Sequence, residues 1–261
     1  MSHHGRFIWY ELITTDLDAA SRFYESVVGW THEDMTGNGM TYRAVSADGN
    51  GVGGMLIIPP EAAARGAPPS WSGYICVDDC DSAAAKIKGL GGAIIRAPED
   101  IPGIGRFAVV TDPQGAAFAI MKPFPMETER PEVPMGTLGH TSWHELMTKD
   151  LEAGFAFYAD MFGWKKDEAM YMGPMGVYQL FSNQIGQIGG MMTKPPEMPC
   201  SAWLFYFQVG DIDAAQGRIE QGGGKVLNGP MEVPGGDWII QGRDPQGAMF
   251  ALVGTRGAAV S

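Results

Sequence analysis

The chain has 261 residues, of which 45% are hydrophobic and 18% charged, and its formal net charge is −12. That composition describes an ordinary globular protein. With no basic cluster to neutralise phosphates, it argues against nucleic acid or an anionic membrane surface and is compatible with a neutral or cationic ligand. No apolar run approaches the ~18–20 residues of a membrane span, and the polar start MSHHGRF does not read as a signal peptide, so the expected location is the cytoplasm.

The first segment, WYELITTDLDAASRFYESVVGW at 9–30, returns as WHELMTKDLEAGFAFYADMFGW at 143–164. From Phe7 to Trp30, 11 of 24 positions are identical in the two copies, at a shift of 134. The repeat continues through Gly53-Gly54-Met55 and Gly189-Gly190-Met191, then through Trp71 and Trp203. It ends in Asp112-Pro113-Gln114-Gly115-Ala116 and Asp244-Pro245-Gln246-Gly247-Ala248. The chain is therefore a tandem duplication. It divides into a module over 1–122, a proline-rich linker over 123–138 and a second module over 139–261. Small changes of offset place a gain near Met170–Met175 and a loss near 61–70, as surface loops tolerate.

Within the first copy, Phe7–Ile13 reads as a strand. Asp16 caps a helix whose apolar positions Leu17, Ala20, Phe23, Tyr24, Val27 and Val28 recur every 3–4 residues, and Gly29 ends it. Strands are expected at Thr31–Met35, Met40–Ala47 and Val52–Ile58, with Asp48-Gly49-Asn50-Gly51 as the hairpin turn. The plan then repeats: strand Ser72–Val77, helix Asp81–Leu90, and strands Ala93–Ala97, Arg106–Thr111 and Ala116–Met121. Four such βαβββ units give an α+β fold. Each module is a pair of units forming a curved, mostly antiparallel sheet with helices on its convex face. How the four units pair stays open, since halves can close within a copy or across copies.

The pattern of strand, Asp, helix ending FY…GW, followed by strand, VDD, helix, GG…DPxG, resembles the vicinal oxygen chelate superfamily, which includes glyoxalases, extradiol dioxygenases and bleomycin-binding proteins. W-x-E-L-x-T-x-D in each copy is similar to its tandem glyoxalase-like branch. The resemblance implies three metal-ligand positions per copy. They fall on Trp9 and Trp143, on Ser72 and Leu204 (or Trp71 and Trp203 if the register slips by one), and on Ala119 and Ala251. Indole, alanine and leucine offer no first-shell donor to a divalent ion. No metal or other cofactor is therefore expected, a divalent metal being the alternative. His140 and His144 lie on the opposite face from Trp143 and Glu145, and structural or interface roles are expected for them. Cys76, Cys80 and Cys200 read as structural thiols.

By strand alternation, Trp9, Glu11 and Ile13 share a face, as do Trp143, Glu145 and Met147. Glu11 and Glu145 are the candidate catalytic or ligand-binding carboxylates; a buried glutamate tied to Tyr, Ser, Arg or backbone donors is the structural account of the same residues. Candidate ligand-lining residues are Trp9, Trp143, Trp71, Trp203, Tyr42, Tyr178, Met55, Met191, Arg106, Phe118 and Phe250. Core packing is the default for each aromatic or methionine. Arg106 becomes Trp238 in the second copy, so cavities lined by that strand would differ in charge. The function expected is small-molecule binding without a metal, the ligand aromatic or cationic and held between aromatic walls by a monomer or homodimer. The alternative is a glyoxalase-like lyase, isomerase or oxygenase with a rebuilt metal site or a glutamate base.

Overall fold

The computed structural model describes residues 3–37, 40–125 and 133–257. Of the linker prolines, Pro131 lies outside the described residues. In the first copy the elements are β1 (Phe7–Thr14), α1 (Leu17–Val28), β2 (Thr31–Gly37), β3 (Met40–Ala47), β4 (Asn50–Ile57), a one-turn helix α2 (Pro60–Ala63), β5 (Ser70–Cys76), α3 (Cys80–Gly89), β6 (Ala93–Ile101), β7 (Gly105–Thr111) and β8 (Ala117–Pro123). The second copy follows with β9 (Thr141–Thr148), α4 (Leu151–Phe162), β10 (Lys165–Tyr171), a 3₁₀ turn at Gly173–Met175, β11 (Val177–Asn183), β12 (Gly186–Thr193), β13 (Ala202–Asp211), α5 (Ile212–Gln221), β14 (Lys225–Glu232), β15 (Trp238–Arg243) and β16 (Met249–Thr255). Only α2 and the 3₁₀ turn were not expected. Each opens at or beside a proline in a segment where the copies differ in length.

Local chemistry sets the boundaries. Asp16 and Asp150 accept from the backbone N–H three residues on, and Gly29 and Gly163 close their helices at φ 90° and 70°. Asp48 and Gly49 both take positive φ, 52° and 78°, as a tight hairpin between twisted strands requires.

Each copy supplies one eight-stranded sheet, in the order β2-β3-β4-β1-β5-β8-β7-β6 and its repeat β10-β11-β12-β9-β13-β16-β15-β14. The hairpin partners run antiparallel, while β1 with β4 and β5 with β8 run parallel. This is an α+β fold of two tandem modules. Compactness cuts the chain differently. One unit combines the described parts of 1–9, 72–132 and 143–204; the other combines those of 10–71, 133–142 and 205–261. Each compact unit therefore joins a half of one copy to a half of the other.

Two hydrogen-bond relays hold those halves together. In the second unit, Trp71 Nε1 donates to the Tyr24 hydroxyl at 2.8 Å, and that hydroxyl donates to Asp244 Oδ2 at 3.2 Å. In the first unit, Trp203 donates to Tyr158 at 2.9 Å and Tyr158 to Asp112 at 3.2 Å. Both aspartates belong to the DPQG turns, where their other oxygen accepts two backbone N–H groups. Burial raises the pKa of both carboxyls and, most strongly, of both phenols. A second reciprocal link runs from Trp30 Nε1 to the Gly139 carbonyl at 2.7 Å and from Trp164 Nε1 to the Gly5 carbonyl at 2.8 Å.

Replacing Tyr24 or Tyr158 by Phe leaves a buried indole N–H and a buried carboxylate oxygen short of a partner. We expect each change to cost about 2 kcal/mol in urea unfolding, with the two costs adding because they lie in separate units.

Candidate functional site

The helices pack on one face of each sheet, and this assigns the sequence candidates. Leu12 pairs with Met55 and Leu146 with Met191, all four fully buried. Trp71 and Trp203 carry the relays above, and Phe118 and Phe250 lie against aromatic rings of α4 and α1. These six candidates are core side chains on the helix side. Arg106 is also on that side: it is ion-paired with Asp81 at 2.6 Å and Asp100 at 2.9 Å. Its replacement by Trp238, which lies under the Arg256 guanidinium at 4.0 Å, therefore does not change the charge of the other face. The cysteines are unpaired, and burial pushes the Cys80 thiol up to about 11, away from the reactive thiolate.

The helix-free face carries the other candidates. In the first copy, Glu11 pairs with Gly54, which also pairs with Ala44 on the strand of Tyr42. A side chain at Gly54 would run into the Tyr42 hydroxyl, so glycine is what admits that ring. The second copy repeats the device: Glu145 pairs with Gly190, and a side chain there would strike the Tyr178 ring. Here the polar atoms form a chain. Trp143 Nε1 donates to the Tyr178 hydroxyl at 2.8 Å, which donates to Glu145 Oε2 at 3.1 Å. Glu145 and Tyr178 are only 6% and 8% exposed, so a carboxylate is held in the sheet by a phenol. Burial, with the Glu145 charge beside it, raises the Tyr178 pKa. Glu11 and Tyr42 are half-buried.

Trp9 lies on the same face as Glu11. It packs against an apolar cluster of Tyr74, Phe107, Ala119 and Met121. Two of the three expected ligand positions of the first copy, Trp9 and Ala119, are thus parts of one hydrophobic cluster. The third falls on Ser72, two residues before Tyr74 and on its face, because Trp71 points to the helices. The Ser72 hydroxyl is buried without a hydrogen-bond partner, yet one neutral oxygen is no divalent-ion site. In the second copy these positions hold Trp143, Leu204 and Ala251. Among the described residues no three His, Cys, Asp or Glu side chains come together to hold a metal. The residues present at the expected positions do not fit one.

His144 lies on the helix side, stacked on Phe7 at 4.1 Å, with Nδ1 2.7 Å from the Ile188 carbonyl oxygen. Sequence reasoning missed the pair Tyr206 and Gln241, joined by a 2.7 Å bond from Gln241 Nε2 to the Tyr206 hydroxyl. Comparing Val109 with Gln241 across the repeat would have exposed it.

The chain matches the Glyoxalase/Bleomycin resistance protein/Dioxygenase superfamily over residues 6–120 and 137–252. It is 32% identical to "Putative glyoxylase CFP32" of Mycobacterium tuberculosis, over 94% of this chain and 93% of that protein. It is 30% identical to "Anthracycline biosynthesis protein DauV" of Streptomyces sp. strain C5, over 97% and 94%. Among solved structures, it resembles the Mn(II)-bound glyoxalase from Novosphingobium aromaticivorans (TM-score 0.62, 16% identity, 97% of this chain and 82% of that one). It also resembles homoprotocatechuate 2,3-dioxygenase from B. fuscum (TM-score 0.67, 16% identity, 96% and 71%). At such identities the structures speak for the fold alone.

Burial lowers the His144 pKa from 6.5 to about 4. Between those values the unfolded chain binds a proton that the folded one refuses. The stability is therefore complete above pH 6.5 and is lost as pH falls toward 4. At pH 4.5 we expect a loss of about 2 kcal/mol in wild type that is missing from His144→Gln, read as the difference between their urea curves at pH 7 and pH 4.5. The buried aspartates are common to both proteins and cancel.

Proposed function

Since the chain belongs to the glyoxalase/bleomycin resistance/dioxygenase superfamily, we propose that it binds a planar aromatic small molecule on the helix-free faces of its sheets without a divalent metal. One observation carries this reading: the positions where the superfamily resemblance puts metal ligands hold Trp9, Ser72 and Ala119 in one copy and Trp143, Leu204 and Ala251 in the other, with Trp9 and Ala119 in one apolar cluster. Indole walls grip flat rings through area and π-stacking rather than through coordination. The net charge of −12 favours neutral or cationic ligands. Relatives named for anthracycline biosynthesis support a polycyclic, oxygenated ligand.

A second reading is favoured by the buried Glu145 with its phenol. A carboxylate in a dry site is a proton acceptor, suited to abstraction beside a carbonyl as in an isomerase or lyase. Tyr178 would then hold Glu145 in place and return a proton donor to its oxygen.

Titration with 1,4-dihydroxyanthraquinone should quench tryptophan fluorescence saturably, with Kd on the order of micromolar, unchanged by EDTA. Absence of both quenching and a thermal shift would overturn the binding reading. Glu145→Gln should keep the quenching. Turnover on a panel of hemithioacetals and catechols that vanishes in that variant would establish the second reading instead.

A further inference from the structure

The N–H of the helix-capping aspartate meets a different acceptor in each compact unit, and the acceptor passed over is left buried without a partner. In the first unit, the Asp150 N–H donates to Gln114 Oε1 at 2.5 Å, and Gln114 Nε2 donates back to the Asp150 carbonyl at 2.8 Å. This latch ties the DPQG turn of one copy to the first helix of the other. Thr148 Oγ1, two residues before the cap, is then the orphan. In the second unit the corresponding Asp16 N–H donates to Thr14 Oγ1 at 3.5 Å, within its own copy, and the orphan is Gln246 Oε1.

One substitution accounts for the difference. Four residues after the cap, α4 has Gly154 where α1 has Ala20. A Cβ at Gly154 would stand 3.2 Å from Gln114 Nε2 and 3.0 Å from the Thr148 methyl carbon, tighter than relaxed packing allows. Gln114 therefore seats in room that only glycine leaves, at the expense of helix propensity in α4. Ala20 is fully buried, and its methyl group takes up the corresponding room. The second unit thus keeps its Tyr24–Asp244 bond without the latch that the first unit adds to Tyr158–Asp112. A cavity of about 270 Å³, lined by Ala19, Phe23, Gly222 and Pro245, lies beside the unlatched turn.

We infer that the cap amide is a two-position switch, set by the residue at 154 or 20, and that the joint between α1 and the Asp244–Gly247 turn is where this fold opens first. The two settings tie different things together. Gln114 binds copy to copy, whereas Thr14 binds the cap only to its own strand. A buried amide oxygen without a partner carries the full penalty of its desolvation, and opening the second joint relieves it by giving Gln246 to water. The first joint has no such gain, since opening it breaks both latch bonds. The Asp244–Gly247 turn connects β15 to β16, so the hairpin that carries Gln241 can yield while its counterpart β7–β8 stays fixed.

Amide hydrogen exchange of the full chain, read residue by residue by NMR, tests this. In wild type the Asp150 amide should be protected about tenfold more than the Asp16 amide. The Ala116 and Ala248 amides make the same 2.9 Å bond in the two turns, so lower protection of Ala248 reads the opening of the second joint. Gln114→Ala and Gly154→Ala should each lower Asp150 protection about tenfold, and the two together should do no more than either alone. Gln246→Ala should change Asp16 less than about twofold, whereas Ala20→Gly should raise its protection about tenfold, and adding Gln246→Ala should undo that gain. The Ala19 and Ala153 amides, bonded to the cap carboxylates at 2.9 and 3.0 Å, should hold their protection in every variant and so mark an intact helix start. Equal protection within the Asp16/Asp150 or the Ala116/Ala248 pair overturns the inference, as does an Asp16 amide indifferent to Gln246 in the Ala20→Gly background. If Ala20→Gly does not fold, an Asp150 amide that neither Gln114→Ala nor Gly154→Ala moves overturns it equally.

Discussion

The hydrogen bond from the helix tyrosine of one copy to the turn aspartate of the other is the constraint on which the rest of this structure depends. Asp112 and Asp244 each do two things at once: one oxygen closes a DPQG turn through two backbone amides, and the other accepts from Tyr158 or Tyr24. A carboxylate that is nearly buried tolerates that position only with all its partners in place. The relay therefore fixes the last hairpin of one copy against the first helix of the other. It works in both directions, Tyr24 with Asp244 and Tyr158 with Asp112, as a duplicated sequence permits. The reciprocal bonds of Trp30 and Trp164 to Gly139 and Gly5 repeat the logic just past the C-terminal ends of the same helices, where the two indoles stack on Tyr24 and Tyr158.

Much of the fold was legible because its signals are local. Asp16 and Asp150 as caps, Gly29 and Gly163 as left-handed ends, and Asp48-Gly49 as a hairpin turn are each decided within a few residues, and all appear as expected. Closure across copies was not legible, since Tyr24 and Asp244 are 220 positions apart and no periodicity connects them. The site was legible only where alternation could be anchored. Trp9, Glu11 and their counterparts follow β1 and β9, whose faces are set by the helix cap. Trp71, Phe118, Met55 and Arg106 were candidates by residue type, and only the register, which puts them on the helix side, separates them from Tyr42 and Tyr178.

The tryptophan that replaces the first expected ligand has a physical consequence beyond the lost donor. An imidazole at that position must be kept hydrated or coordinated, whereas an indole gains by burying its ring. Trp9 accordingly joins Tyr74, Phe107 and Met121, and once that cluster has formed, recovering an ion site would require removing apolar contacts as well as adding donors. In the second copy the corresponding indole gives its N–H to Tyr178, which in turn donates to Glu145.

The copies agree in the relay that joins them and differ in part of the helix-free face: Phe107, Val109 and Met121 stand where Ile239, Gln241 and Val253 do, while Trp9, Glu11, Tyr42 and Tyr74 are kept as Trp143, Glu145, Tyr178 and Tyr206. The Trp–Tyr–Asp relay is identical in both because either half of it, if lost, strands a buried charge in a shared core. No such relay restrains positions 107 and 109: Val109 and Gln241, or Phe107 and Ile239, can exchange without breaking a helix contact. The relay is thus held constant by mutual dependence between copies, while positions 107, 109 and 121 and their counterparts are free to change alone. A Gln241–Tyr206 hydrogen bond in one copy and a filled apolar cluster around Ala119 in the other are what that freedom has produced.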